Sequence, residues 1–495
     1  MQPVPLFGSG VYGKSAVVTR QRRVNCYYET RNDGDKAKVV VYGTPGLVLL
    51  FNVSQPGNLP LRAMLCANET ALYAVQGNQF LSLNSAGAAL FAATINTIGG
   101  LVSLAPSPNG AQIVLVDGVG GWVYQPGAGT FLAVPNGIWF VPGAMTVTQV
   151  GGYFVAEIPG TNQFGVSNLN DATTGSALSF GAIAAFPDIC VAVDNVAGNL
   201  VPFGNTHLEF WQPQGFPPPA NPFAPIQSAT VQVGLAAVFS RAHVASQLLF
   251  LGKETTGTKR VYAINNYAVN AISDEIDWII NQPGFVVTDA VGLSYQRDKH
   301  PFYQLTFPTM NRTFLYDLST GIWNETQTGL TTGGPVRHQG NLSSYYGAVN
   351  NGDTLVTDWA NGNVYRFDDA TYSDNGVPQL FEVITKHQVK GYNRFRIPQL
   401  YLDMETGVGL PGVISGTPAQ GVTPQISIEV SKDNGRTWLA PRLIGLGVQG
   451  SYLTKVKARR FGQARVFTFR FRITDPVKRV ITDGALQTKV SKGGK

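Results

Sequence analysis

The chain has 495 residues and a formal net charge of +6, yet only 13% of it is Asp, Glu, Lys or Arg, about half the usual share. With 44% hydrophobic residues such a composition excludes a disordered chain, and its 56 glycines and 30 prolines favour turns and strands over helices. No run approaches a membrane span or reads as a signal peptide, and Cys26, Cys66 and Cys190 lack the spacing of a disulfide framework or zinc site, so they are expected as buried, reduced thiols.

Residues 1–35 read as an irregular, polar N-terminal arm carrying Arg20, Arg22 and Arg23. From there to residue 375 the text is strand and turn. Val39–Tyr42, Ala111–Val116 and Gln247–Leu251 are apolar strand runs separated by Gly, Asn and Asp turns. The most informative stretch is Phe314 to Trp323: an aromatic-bearing strand, an Asp317-Leu318-Ser319-Thr320-Gly321 turn, then a tryptophan opening the next strand. Weaker copies begin at Leu72, Trp122, Tyr262 and Val364. Recurrence at tens of residues predicts a β-propeller-like domain over 36–375, with room for about six to seven blades at roughly 50 residues each. The competing fold is one large β-sandwich of unrelated hairpins. Gln212–Ala224 carries Pro213, Pro217, Pro218, Pro219 and Pro222, which exclude a central strand and predict a surface loop joining two blades. One helix is predicted over 272–281, capped by Ser273, with Ile276, Ile279 and Ile280 on one face and Pro283 as its stop.

Composition changes near 368–378. Residues 376–487 read as a separate C-terminal β-sandwich or barrel, and 488–495 as a flexible basic tail. In Val466–Ile473, Val466, Thr468, Arg470 and Arg472 alternate with Phe467, Phe469, Phe471 and Ile473, so each set takes one face of a strand. Basic residues crowd this end; Arg459, Arg460, Arg465, Arg470 and Arg472 are the candidate contacts to an acidic partner or a DNA conduit, against the plainer reading of solvated strand faces. Ser431-Lys432-Asp433-Asn434-Gly435-Arg436-Thr437-Trp438 fits the Asp-box turn of sialidases and other propellers. There Ser431 and Asp433 bind the turn's backbone, Gly435 takes positive φ and Trp438 anchors the hairpin. Such a box is a structural turn and does not argue for hydrolysis.

No catalytic, cofactor or metal constellation stands out. His207, His243, His300, His338 and His387 are isolated, and Asp274, Glu275 and Asp277 sit where carboxylates complement a helix dipole. No nucleophile elbow or phosphate loop is present, so the chain reads as a non-enzyme with no cofactor.

Several segments resemble the tail hub, or nozzle, proteins of short-tailed double-stranded DNA phages, the packaged DNA stabilisation family. They are Arg23–Glu29 followed by Thr44-Pro45-Gly46-Leu47; Asn205–Trp211; the 272–281 helix followed by Thr313–Asp317; and the Asp433-Asn434-Gly435 turn followed by Ala458–Arg465. The loop at 212–224 departs from that pattern, so partner contacts do not transfer. The resemblance implies a propeller with an added β-domain, assembled in the host bacterial cytoplasm and carried in the virion tail. It implies a homo-hexameric ring below the portal and its head-to-tail adaptor, docking a tail needle, fibres or tailspikes, with weak non-specific contact to passing DNA. An acidic protein partner suits the basic residues better than DNA, because tight phosphate pairing would hinder ejection. The rival is a host-surface glycan-binding propeller that stacks sugars on Trp211, Phe216, Tyr345 and Tyr346.

Overall fold

The computed structural model describes the chain except residues 1, 5–7, 9, 31–38, 55–56, 69–70, 217–219, 331–353, 392, 414–418 and 491–495. Its contacts gather into two compact units that interleave along the sequence: unit 1 is 1–48, 311–336 and 367–495, and unit 2 is 49–310 and 337–366.

Unit 2 is a succession of small antiparallel sheets, each meandering in chain order. The first is Leu61–Asn68, Ala71–Gln76, Gln79–Leu83 and Ala89–Thr94; three more four-stranded sheets open with Ser103–Pro106, Val147–Val150 and Cys190–Val196. A five-stranded sheet centres on Gln247–Glu254, which pairs with both Val233–Leu235 and Ala242–Val244. The hairpin Val291–Arg297/His300–Phe307 follows. Inner strands of these six sheets, together with Thr354 before the Leu355–Thr357 strand, line one cavity of about 990 Å³. Strands converging on one axis make a propeller. Apolar clusters fill the gaps between successive sheets: Tyr73, Phe80 and Trp122 in one, Phe140 and Phe154 in the next, Phe164 and Trp211 in a third, Phe203 and Phe250 in a fourth. Alternation along each strand supplies a residue to both flanking gaps, which is why the strands read as nearly continuous apolar runs.

Unit 1 is a sandwich. One sheet runs Cys26–Thr30, Val39–Gly43, Val480–Val490, Phe395–Met404, Val456–Arg459. The facing sheet includes Ile322–Glu325, Arg22–Val24, Phe381–Ile384, Val466–Ile473, Gln425–Ser431 and Arg442–Gly445, in that order. Tyr28, Val41, Leu400 and Ile481 from the first meet Phe381, Ile428, Phe469 and Phe471 from the second in one core. The phenylalanines of Val466–Ile473 point inward as their alternation requires. The recurrent turn motif also forms as read: Asp317 pairs with Ile322 across it, Asp317 Oδ1 accepts the Ser319 N–H at 2.9 Å, and Gly321 has φ +68°.

Four expectations need correction. The stretch expected as an irregular arm contributes the buried strands Arg22–Val24, which pairs with the distant Phe381–Ile384, and Cys26–Thr30, which pairs with the neighbouring Val39–Gly43. The proline-rich loop does not join two blades: Trp211–Pro213 and Phe223–Pro225 pair with each other as the outer hairpin of a single sheet, where an edge tolerates the missing N–H groups. The helix is a single turn, Asp277–Ile280, without a side-chain cap; Ser273 Oγ instead accepts the Val261 N–H at 2.7 Å. Ile276, Ile279 and Ile280 are buried as expected. Thr488, Lys489 and Val490 belong to a strand rather than the tail, whose remainder lies outside the described residues.

Candidate functional site

The five candidate arginines fall into two sets. Arg470 and Arg472 project from the Val466–Ile473 strand into an ionic ladder crossing the sheet. Arg312 Nη2 lies 3.1 Å from Glu325, Glu325 lies 2.7 Å from Arg22, and Arg22 lies 3.0 Å from Glu382. Glu382 is 2.6 Å from Arg472 Nε, and Glu429 receives both Arg472, at 3.8 Å, and Arg470. Four cations alternate with three anions along strands that pairing brings side by side. The middle of the ladder is nearly dry, with the Arg22 and Glu382 side chains 4% and 1% exposed. Burial opposes the Arg22 charge, but Glu325 and Glu382 outweigh it and hold its pKa above the ordinary value. Tyr12 covers this centre, its ring 4.2 Å from the Arg20 guanidinium carbon and 5.5 Å from that of Arg22.

Arg459, Arg460 and Arg465 behave differently. All three are exposed and join no ion pair among the described residues. Arg460 holds φ +65°, and its carbonyl accepts Arg442 Nη2 at 3.2 Å. Arg442 stacks on Phe461 at 4.4 Å, while its Nη1 is buried without a hydrogen-bond partner among the described residues. Burial lowers the Arg442 pKa, as an uncompensated guanidinium requires. Nearby charge is structural: Arg479 is buried, donating to Gln379 Oε1 at 2.9 Å with its pKa lowered by burial to about 10, and Lys478 pairs with Glu405 at 2.9 Å. The sequence showed a basic run; only the pairing pattern separates its spent cations from its free ones.

The Asp-box-like turn forms in full. Ser431 Oγ donates to Asp433 Oδ1 at 2.7 Å and accepts the Gly435 N–H at 2.8 Å; Asp433 accepts the N–H groups of Arg436 and Thr437 at 3.0 and 2.9 Å. Slight burial raises the Asp433 pKa, but the bonds from Ser431 and Thr437 prevail and bring it to about 2. Gly435 has φ +77°, and the Arg470 guanidinium lies 4.3 Å over the Trp438 ring. The box therefore buttresses the ladder's end.

The histidines are spread through the fold. His207 is buried with Nδ1 3.0 Å from Asp188; its Nε2, 3.4 Å from Glu209, lacks hydrogen-bond geometry. His243 Nε2 lies 2.9 Å from Asp194 in the axial cavity, and His387 bridges Thr468 Oγ1 and the Ala16 carbonyl at 2.7 and 2.8 Å. His300 is buried and His338 lies outside the described residues. Asp274 and Asp277 serve Arg260 rather than a helix dipole, a one-turn helix having little dipole to complement. No cluster of three or more metal-ligating groups occurs among the described residues. Of the aromatics considered for sugar stacking, Trp211 is buried with its indole N–H on Glu209 at 3.0 Å, Phe216 is exposed, and Tyr345 and Tyr346 lie outside the described residues.

Residues 4–372 match the family model described as "Bacteriophage P22 Gp10, beta-propeller", and residues 380–489 match "Bacteriophage P22 Gp10, beta-sandwich". The chain belongs to the bacteriophage P22 Gp10 family. It is accordingly a structural phage tail protein of the packaged DNA stabilisation type, a propeller followed by a β-sandwich. No curated protein matches it. Similar solved structures include the Cps50 (Swd1) β-propeller domain of Myceliophteria thermophila, at 8% identity over 65% of this chain and 98% of that one, TM-score 0.41. The Pan2 WD40 domain of Neurospora crassa shares 9% identity over 66% and 97%, TM-score 0.41. Hydrazine synthase of Kuenenia stuttgartiensis shares 9% over 53% and 78%, TM-score 0.35. Likeness this slight has no bearing on function. Family membership gives the Gp10-type chain a virion role.

Proposed function

We propose that the chain forms the tail hub, or nozzle: a six-membered ring below the portal and its adaptor that extends the DNA conduit, helps retain packaged DNA, and docks needle, fibre or tailspike proteins. Family membership supports a tail role; the observation carrying the finer reading is the division among the candidate arginines. Arg470 and Arg472 are neutralised inside the sandwich, whereas Arg459, Arg460 and Arg465 stay exposed around an Arg442 that lacks a full set of acceptors. An acidic surface of the adaptor complements that patch. Three free cations also allow passing DNA only a shallow, salt-screened attraction, as ejection requires. Three buried free cysteines suit assembly in a reducing cytoplasm.

Cryo-electron microscopy of the purified protein mixed with its portal–adaptor complex tests the reading. A six-fold ring capping the adaptor is expected; a free monomer that leaves the adaptor bare would overturn it. The triple change Arg459→Ser, Arg460→Ser, Arg465→Ser should keep the melting temperature and lose adaptor binding. Retained adaptor binding with faster DNA leakage would move the patch to the conduit.

A further inference from the structure

The two sheets of unit 1 treat charge on their outer faces in contrary ways. On the sheet that carries the ionic ladder, register sets Glu382 opposite Arg472 and Glu429 opposite Arg470. On the other sheet it sets like against like. Arg396 stands opposite Lys489 across the Phe395–Met404 and Val480–Val490 strands, and Asp403 stands opposite Asp483 at the far end of the same pairing. Like charges directly opposite each other weaken a sheet. A partner that neutralises them removes that cost.

Register also orders the neighbours of Arg396 and Lys489. Phe395, Ile397, Leu400, Leu402 and Leu486 fill the core, which leaves the side chains between them on the outer face. The first row there holds Arg396 and Lys489, the second sets Arg459 opposite Gln399, and the third sets Lys457 opposite Tyr401. The remaining members of these rows, Gln463, Gln487 and Ala485, are uncharged. The rows therefore hold cations and no carboxylate. Arg396, Arg459 and Lys489 are exposed and, like Lys457, join no ion pair among the described residues. Lys457 Nζ lies 4.7 Å from the centre of the Tyr401 ring, whose hydroxyl donates to Gln399 Oε1 at 2.5 Å, so the middle of the face is held in order. Beyond the third row the sign changes to Asp403 and Asp483, with Lys455 just before the Val456–Arg459 strand.

We propose that these basic rows dock an extended acidic segment of a partner protein, with carboxylates at alternate positions. Rows two residues apart on a strand repeat at about 6.6 Å, and alternate side chains of an extended segment repeat at the same interval on one face. Carboxylates so spaced meet Lys489 and Arg396, then Arg459, then Lys457. DNA fits less well. The rows run roughly 13 Å along the strands, about four base pairs, before a duplex laid along them meets Asp403 and Asp483. The proposal rests on reading Arg459 as a contact to an acidic protein, and it adds Arg396, Lys457 and Lys489 to that surface.

The test is fluorescence anisotropy of the full-length protein at low salt with three labelled probes: the peptide Glu-Thr-Glu-Thr-Glu-Thr, the same composition as Glu-Glu-Glu-Thr-Thr-Thr, and a duplex of about 20 base pairs. Saturable binding of the alternating peptide is expected, with the block peptide and the duplex weaker. Arg396→Glu and, separately, Lys489→Glu turn the like pair into an opposite one. Each should hold or raise the melting temperature while weakening the alternating peptide roughly tenfold or more. No saturable binding, equal affinity for both peptides, a duplex bound as tightly, undiminished affinity in the variants or a lowered melting temperature in both would each overturn the proposal. A ring that caps the adaptor while the free protein ignores the peptide would sink this proposal and keep the hub reading; peptide binding by a protein that leaves the adaptor bare would do the reverse.

Discussion

The two units differ in how they hold their longest runs of buried charge. Unit 1 sets side chain against side chain: Arg312, Glu325, Arg22, Glu382, Arg472, Glu429 and Arg470 alternate in sign across neighbouring strands. Unit 2 has a close pair in Arg241 and Asp194, 2.8 Å apart, but it also sets buried charge against backbone. Arg62, 5% exposed, donates to carbonyls of Gly77, Thr97, Gly99 and Gly100, while Glu157, 3% exposed, accepts N–H groups of Met145 and Thr146. The difference follows from sheet shape. A wide sheet places side chains of several strands in one row, so opposite charges can alternate across it. Four-stranded blades joined by short turns offer fewer such rows but many loop carbonyls and amides, so Arg62 and Glu157 turn to the main chain.

That contrast makes a graded set of expectations. Glu382→Ala should have the largest effect, because it takes one of two carboxylate partners from the dry Arg22 and the nearer one from Arg472; a loss of about 3 kcal/mol in denaturant unfolding is expected. A loss below about 1 kcal/mol would mean that water reaches the ladder and that the pairing is ornamental. Arg62→Met keeps the apolar stem and removes every donor, leaving loop carbonyls unmet; about 2–4 kcal/mol is expected. It should also loosen the 97–100 loop, read as faster amide exchange there. Equal exchange in the variant would show that the loop holds itself.

A further expectation is a pH slope. Burial raises the Glu157 carboxyl from the ordinary 4.5 to about 7, despite its bonds from Thr146 and Met145. Its folded pKa is the higher one, so the folded state binds the extra proton. The associated stability is complete below 4.5 and is lost as pH rises through 7. Glu157→Gln should flatten that part of the pH–stability curve. An unchanged slope would place the titration elsewhere, with His243 beside Asp194 the next candidate: burial lowers its pKa, but Asp194 raises it further. Its side chain is 49% exposed, and solvent screening keeps that contribution small.

Much of the fold was legible because its cues are local. The Asp317 and Asp433 turns, the alternation in Val466–Ile473 and the buried isoleucines at 276, 279 and 280 depend on residues a few positions apart, and they appear as read. The exposed arginines of the candidate site were also visible as a charge run. Their separation from Arg470 and Arg472 was not, since Glu382 lies 90 residues from Arg472 and 360 from Arg22. The same limit hid the role of Arg22–Val24, whereas the local hairpin around the proline-rich loop was masked by its prolines, which read as a break between blades.

What the sequence determined by itself was the β-rich class, the recurrent strand–turn unit, the reduced cysteines and the excess of basic residues at the C-terminal end. Each follows from composition or from interactions within a turn of chain. Tertiary structure alone decided which cations are spent and how three separate stretches combine into one sandwich unit. Those outcomes depend on which distant strands pair and in what register, and a shift of one residue would turn each of these side chains to the opposite face.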